Sequence, residues 1–555
     1  MKMRLIFLTL AVTIVTIRMN SAAATSRSTT LTSPEVAQWR ADLNYFASTM
    51  EAYHRNAFHD VSKEDFMREV SALRAKIPLL NREQVIIGLK HLAALIHDAH
   101  TGMDLTTSPP IGFHALPLKV YWYSDGLFVQ AAPPKYKNIV GAKVVRIGSV
   151  PTDEALKRIA TLAEASSEWT YRSEVQFFFR GEVLHALGLS DRSEGARFEF
   201  ATPEGPVTLD MDVLSGPMML GYSPGAPAKS DWIDARSGSP PLYLERKDKY
   251  WFKFLEDKHI LYVQCNEIGN ADNESFEQFF ARVFTFADTN LVDKVVLDLR
   301  LNGGGNNELT PAVVENVIKH ERWNATGKFF VITGRITQSA AENLVNRLQR
   351  DTHAIFVGEP TGERPNMYGD AYAFLLPKSH IQVDISSLYW QDMDPRDERQ
   401  WTGPDLAAQL TSDNYAHNVD PALEVIMSQT YVPIRQALQP FIDKGNAPGL
   451  KAAYKRYLAE PIHHFTQTQD QIDALANELL EKDKKDIALE LFKLNADSYP
   501  KSPKAMDSLG DAYTAMGDTV HALDAYASAL KLSPKDGLAA SRSQALKAGG
   551  EQMHH

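Results

Sequence analysis

Apolar residues recur at helical spacing over residues 35–53, 63–76 and 82–96, which predicts three N-terminal helices. Between residues 116 and 213 the pattern changes to alternation. Leu118-Lys-Val-Tyr-Trp-Tyr123 and Leu127-Phe-Val-Gln-Ala131 flank the turn Ser124-Asp-Gly126, and Val140 to Gly148 continues the β-rich stretch. Residues 216–241 are rich in Pro, Gly, Ser and Ala and read as a linker or an exposed loop. Strand and helix patterns then take turns: strands near 259–265, 294–299, 328–333 and 354–357, helices near 275–287, 310–319 and 339–350. Strands separated by helices imply βαβ crossovers and a mainly parallel sheet. Further strands follow Tyr368, and residues 433–458 return to helical spacing.

The last stretch repeats with a period of 34 residues, pairing Ala488-Leu489 with Ala522-Leu523, Leu475 with Leu509, Phe492 with Tyr526 and Pro500 with Pro534. Leu509-Gly510, Tyr513, Gly517, Ala522 and Pro534 form the tetratricopeptide pattern, in which small residues let paired helices approach closely. Two such units do not close a solenoid, so they must lean on the preceding helices and a capping helix after Gly537. A concave repeat surface implies a protein partner or packing against the chain's own core.

At 555 residues the chain is too long for one core. With 44% hydrophobic and 23% charged residues the composition is that of a globular protein, and a net charge of -11 spread along it argues against general binding to nucleic acid or anionic membranes. The single cysteine, Cys265, lies in the apolar run His259-Ile-Leu-Tyr-Val-Gln-Cys265 and reads as a buried strand residue. Lys2 and Arg4 precede a 13-residue apolar run and then Ser21-Ala-Ala-Ala24, the layout of an export signal cleaved after Ala24. The run is short for a membrane span, and export of a chain with one cysteine suits a bacterial envelope, periplasmic or extracellular.

Two loops offer chemistry. The strand Lys294-Val-Val-Leu-Asp-Leu-Arg300 opens into Leu301-Asn-Gly-Gly-Gly-Asn306, where glycines leave backbone N–H groups approachable. The strand Phe329–Thr333 opens through Gly334-Arg-Ile-Thr-Gln338 into a helix beginning at Ser339. A helix start stabilises an oxyanion, although Ser339 with Glu342 three residues on also has the form of a capping box. Ser339 is the candidate nucleophile, with the N–H groups of Ala340 and of Gly303 or Gly304 as the oxyanion hole.

Asp298-Leu-Arg-Leu-Asn-Gly-Gly-Gly305, Thr337-Gln-Ser-Ala-Ala-Glu342 and Gly358-Glu-Pro-Thr-Gly362 occur in the order of the S41 serine peptidases, which this chain resembles. That group includes the C-terminal processing (tail-specific) proteases and the tricorn core protease. The resemblance implies a ClpP/crotonase-like α/β core in a multidomain α/β chain. Its parts would be a signal peptide (1–24), an N-terminal helical segment (30–115), a PDZ-like β-rich module (116–215), a catalytic core (216–430), a helical connector (431–464) and two tetratricopeptide repeats with a capping helix (465–555). It implies a peptide or protein substrate, hydrolysed through an acyl-enzyme without metal or cofactor, or, as in the retinoid-binding members, a ligand-binding protein on the same scaffold.

The resemblance also makes His100, in Ile96-His-Asp-Ala-His-Thr-Gly102, the general base. The processing branch places a lysine 25 residues after the serine, but this chain has Arg364 there, and a guanidinium accepts no proton at working pH. The tricorn branch pairs the histidine with a glutamate ahead of the Gly403-Pro-Asp405 element. Glu398 matches that position with Asp397 next to it, while the serine that links histidine to glutamate is Ala99 here. The contact would then be direct, water-mediated or through Thr101, or the histidine would act alone. Arg364 and Asn366 are candidates for binding substrate carboxylate or backbone.

Overall fold

A computed structural model describes residues 30–552, except 107, 217–219, 222, 226–228, 230 and 535. The export-signal reading of residues 1–24 falls outside the described residues. Among those, no helix is long and apolar enough to cross a membrane.

The chain opens with α1 (Ser33–Tyr53), α2 (Lys63–Lys76) and α3 (Arg82–Ala94). Ser62 and Asn81 cap the second and third by accepting N–H bonds from Asp65 and Gln84. Phe46, Phe66, Ile86 and Leu89 bury one face of these helices in the core of the next module. That module is a β-rich sheet ordered β1 (Lys119–Tyr123), β2 (Gly126–Ala132), β3 (Lys143–Ile147), β4 (Gly195–Thr202) and β5 (Gly205–Asp212), antiparallel throughout. Val120, Val129, Val144, Phe198 and Phe200 fill its inner side.

The core sheet contains β6 (Tyr250–Leu255), β7 (Ile260–Cys265), β8 (Lys294–Asp298), β9 (Phe329–Thr333) and β10 (Ile355–Gly358). Beyond it come a separate hairpin of β11 (Asn366–Leu375) and β12 (Gln382–Gln391), and the short β13 (Leu406–Ala407). Its order is β13-β10-β9-β8-β7-β6, parallel except for the antiparallel edge strand β6. Alternate residues serve opposite faces. Leu261, Val263, Val295, Leu297 and Val331 pack on α4 (Phe276–Thr289), α5 (Pro311–Lys319) and α6 (Ala340–Asp351), whereas Tyr262, Val296, Phe330 and Ile332 meet Ala422 and Ile426. Burial on both sides explains why these strands read as unbroken apolar runs. Cys265 is buried, and burial pushes its thiol up to about 12, so it stays protonated and inert.

The chain ends in helices: α7 (Ile434–Asp443) and α8 (Ala447–Ala459), then two hairpins, α9 (Gln469–Glu481) with α10 (Lys485–Ser498) and α11 (Pro503–Ala515) with α12 (Thr519–Leu532), then α13 (Gly537–Gln552). The second hairpin starts 34 residues after the first. Gly510 is needed where α11 and α12 cross, since a Cβ there would lie 2.4 Å from the Tyr526 ring.

Candidate active site

The site forms where β8 and β9 end and α6 begins, at the C-terminal edge of a parallel sheet, where open α/β sheets place ligands. Arg335, only 1% exposed, donates two bonds to Glu359 at 2.7 and 2.8 Å, and so pins the loop after β9 to the loop after β10. Thr337 donates to the Leu299 carbonyl at 2.8 Å and its own carbonyl accepts the Gly362 N–H at 3.0 Å. Three strand ends are thus tied together around residue 339.

Ser339 stands at the head of α6 with φ 52° and ψ -129°. A non-glycine residue in this region costs of order 1–3 kcal/mol and persists only where its surroundings impose it. The expected capping box is not made. The Ser339 side chain forms no cap bond, and Glu342 is buried inside, its carboxyl accepting from Thr402 at 2.7 Å. Burial pushes Glu342 up to about 8, so it is neutral at pH 7.

The oxyanion candidates divide. Gly304 donates its N–H to the Asn302 side chain at 2.8 Å and therefore does not offer it to a substrate. What Gly304 supplies is space: at φ 112°, a Cβ would fall 2.7 Å from the Ser339 Cβ and 3.1 Å from its hydroxyl. Gly303 is exposed with nothing within 4 Å of where its Cβ would be, and Ala340 opens α6 with its nitrogen 3.1 Å from where a Gly304 Cβ would be. Asn302 is buried and donates to the Cys265 carbonyl at 3.0 Å, so the glycine turn is anchored on β7.

His100 reaches the same place from the other end of the chain. Its loop is organised by Asp98, which is 3% exposed and accepts from His54 at 3.0 Å, from Thr101 at 2.5 Å and from the His100 N–H at 3.0 Å. Burial alone would raise the Asp98 pKa, but bonds from His54, Ser386 and Thr101 hold it below the ordinary value. Thr101 is spent on this role and does not form the link considered for it: its hydroxyl donates to Asp98 and accepts the Ser386 N–H at 3.0 Å.

The carboxylate beside the imidazole is Glu363. Its Oε1 lies 3.3 Å from His100 Nδ1, and its Oε2 accepts the backbone N–H of Ser339. One buried carboxylate thus joins the two ends of the site, although among the described residues no hydrogen bond runs from the Ser339 hydroxyl to the imidazole. Burial lowers the His100 pKa, but the charges of Glu363, Asp98 and Asp370 outweigh it and leave the ring above its ordinary value. Burial likewise lifts Glu363, with His100 and the Ser339 N–H acting against it.

The remaining expectations meet a different geometry. Glu398 is exposed and lies in the field of Arg364, Asp60 and Asp397; the residue facing His100 is Glu363 in its place. Asp397 is taken by Arg399 at 2.7 Å. Arg364 pairs with Asp60 and donates to Gln400 at 2.9 Å, and Asn366 spends its amide on the Asp394 carbonyl at 2.9 Å and the Met393 N–H at 3.0 Å. Both brace the loops here instead of presenting free donors to a substrate. Glu363 stands one residue before Arg364, the position that a processing-type lysine would occupy, and no motif marks it. The only signal for it was its place in the loop after Gly358-Glu-Pro-Thr-Gly362.

A cavity of about 1130 Å³ opens beside the site, lined by Asp98, Ala99, Glu363, Tyr368 and Glu398 and walled on the far side by Tyr499–Ser502 of the helical repeat.

No family model matches the chain, and no curated protein matches it in sequence. Solved structures do. Mature CPAF complexed with lactacystin superposes with a TM-score of 0.51 at 13% identity, over 71% of this chain and 97% of that one. Mature CPAF alone gives 0.51 at 12%, over 74% and 99%. At low identity and over much of the chain, these likenesses show that the chain shares the fold of CPAF. The photosystem II D1 C-terminal processing protease also matches, at 14% identity over 71% of this chain and 99% of that one, but its TM-score of 0.34 is too loose to add to this.

Proposed function

We propose that the chain is an exported serine-type peptidase that hydrolyses peptide bonds through an acyl-enzyme on Ser339. The observation that carries this reading is the backbone of Ser339 at φ 52° and ψ -129°. That conformation holds a serine at the start of a helix, after the five-residue loop that follows β9, much as a nucleophile elbow does, and a protein that only binds has no use for the strain.

In this reading the Ser339 hydroxyl attacks the scissile carbonyl and His100 accepts its proton. In this reading the ring nitrogen that does not face Glu363 acts as the base, and Glu363 stabilises the imidazolium that forms. The N–H groups of Ala340 and Gly303 receive the oxyanion, assisted by the positive end of α6. His100 then protonates the leaving amine, and water releases the acyl group by the same steps in reverse order of roles. Glu398 lines the cavity, which supports a role toward the substrate in place of the one beside the histidine. The leader pattern of residues 1–24 supports action in a bacterial envelope.

A fluorophosphonate probe tests the reading. It should label the wild type and not Ser339→Ala, and peptide hydrolysis should vanish with the label. A folded wild type that neither labels nor cleaves would leave the ligand-binding alternative, for which the missing bond between Ser339 and His100 is the observation in favour.

A further inference from the structure

One face of the helical repeat is occupied by a loop of the core. Asp507 on α11, at the position equivalent to Asp473 on α9, is 3% exposed at its side chain and holds Arg396 of the loop between β12 and β13, with Arg396 Nη1 at 3.0 Å from Asp507 Oδ2 and 3.8 Å from Asp536 Oδ2. Arg542 on α13 binds the same oxygen of Asp507 and reaches Asp511 at 3.0 Å. Arg396 is therefore inserted between acidic groups of the repeat, although it belongs to the catalytic core.

The contact continues inward. Arg396 is also forked onto Asp394 with two bonds of 3.1 Å. The Asp394 carbonyl accepts from Asn366, whose own carbonyl takes the Met393 N–H, and Asn366 is the first residue of β11. Two residues along β11, the Tyr368 backbone faces the His100 imidazole, and a Cβ on Gly369 would come 4.0 Å from its ring. A second anchor fixes the same loop farther on, where Arg399 and the Gly403 N–H both bind Gln467 at 3.1 and 2.9 Å. Between the two anchors the loop carries Asp397 and Glu398 along the cavity.

We infer that Arg396 is a positioning residue through which the helical repeat holds the rim loop and the β11 strand, and with them the His100 imidazole, in working geometry. This rests on the hydrolase reading above. The repeat then serves the chain's own site, and its acidic groove is occupied by the segment Asp394-Pro-Arg-Asp-Glu398 and not held open for a partner. A half-buried arginine held between carboxylates is a defined anchor because its fork fixes direction as well as charge.

The test uses the full chain carrying Arg396→Ala or Arg396→Lys. Arg396 lies outside the repeat's apolar core, so helical circular dichroism should stay at the wild-type level. Arg396→Ala should lower kcat on a quenched fluorogenic peptide by about tenfold to a hundredfold, as a displaced catalytic group does, with a smaller change in KM. It should slow fluorophosphonate labelling of Ser339 and speed hydrogen exchange of amides in residues 366–375 and 392–402. Arg396→Lys should recover part of each. Unchanged exchange in those segments overturns the inference whatever the activity, and so does a change confined to KM, which would make the repeat a substrate-binding surface. If the wild type has no activity but Arg396→Ala accelerates exchange, the hydrolase reading fails and the anchor stands.

Discussion

Glu363 stands 3.3 Å from the Nδ1 of His100, across 263 positions of sequence. Facing carboxylates hold the imidazole above its ordinary pKa against the opposing effect of burial, and in the proposed mechanism the imidazole accepts a proton only when neutral. The rate should therefore rise with pH through a midpoint above 6.5. In Glu363→Gln the largest of the raising charges is gone, so the acid limb of the kcat/KM profile should move to lower pH while kcat falls. A profile that keeps its midpoint would remove Glu363 from the histidine.

The strain at Ser339 should be visible as stability. Glycine adopts φ 52° freely, so Ser339→Gly should raise the unfolding free energy by about 1 kcal/mol while abolishing hydrolysis. Ser339→Ala keeps a Cβ and should abolish activity without that gain. Urea unfolding of the two variants beside the wild type measures the difference.

Gly304 makes the opposite case. A methyl group there would press on the Ser339 Cβ at 2.7 Å and would itself sit at φ 112°. Gly304→Ala should cost about 2 kcal/mol or more and remove activity even though the serine and histidine remain. Retention of wild-type probe labelling would show that the glycine turn does not abut the nucleophile.

Glu342 predicts a pH effect on stability with a definite sign. Its folded pKa of about 8 exceeds that of the unfolded chain, so the folded state holds the extra proton and loses stability as pH rises from about 4.5 to 8. Glu342→Gln carries no such proton. Its stability relative to the wild type should grow across that window, by on the order of 4 kcal/mol at most near pH 8, and the two should run parallel below pH 4. Thermal melts at several pH values give the comparison.

The strands and helices of the core were legible because their signals are local. β8 and β9 are apolar runs delivered into glycine-rich or helix-opening loops, and both faces of the sheet are buried, so no other period competes. The 34-residue spacing announced the paired helices for the same reason. The candidate site was less legible than the fold. Ser339 and His100 stand in recognisable segments, but the form of a capping box at Ser339 is shared by ordinary helix starts, and only the backbone angles separate the two.

Which residues meet was decided by the tertiary structure alone. Glu363 took the place expected for Glu398 because the Arg335 and Glu359 pair and the Thr337 to Gly362 bond carry the loop after β10 up against residue 339. Arg364, one residue on, turns away to Asp60 in the N-terminal segment. Arg396 found its partners more than 100 residues later, in a repeat whose outline was clear while the occupant of its groove was not. Sequence determines periodicity, turns and the supply of chemical groups, since these depend on neighbours along the chain. The pairing of charges at close range depends on how loops are aimed by bonds between distant strands, and no local pattern encodes that.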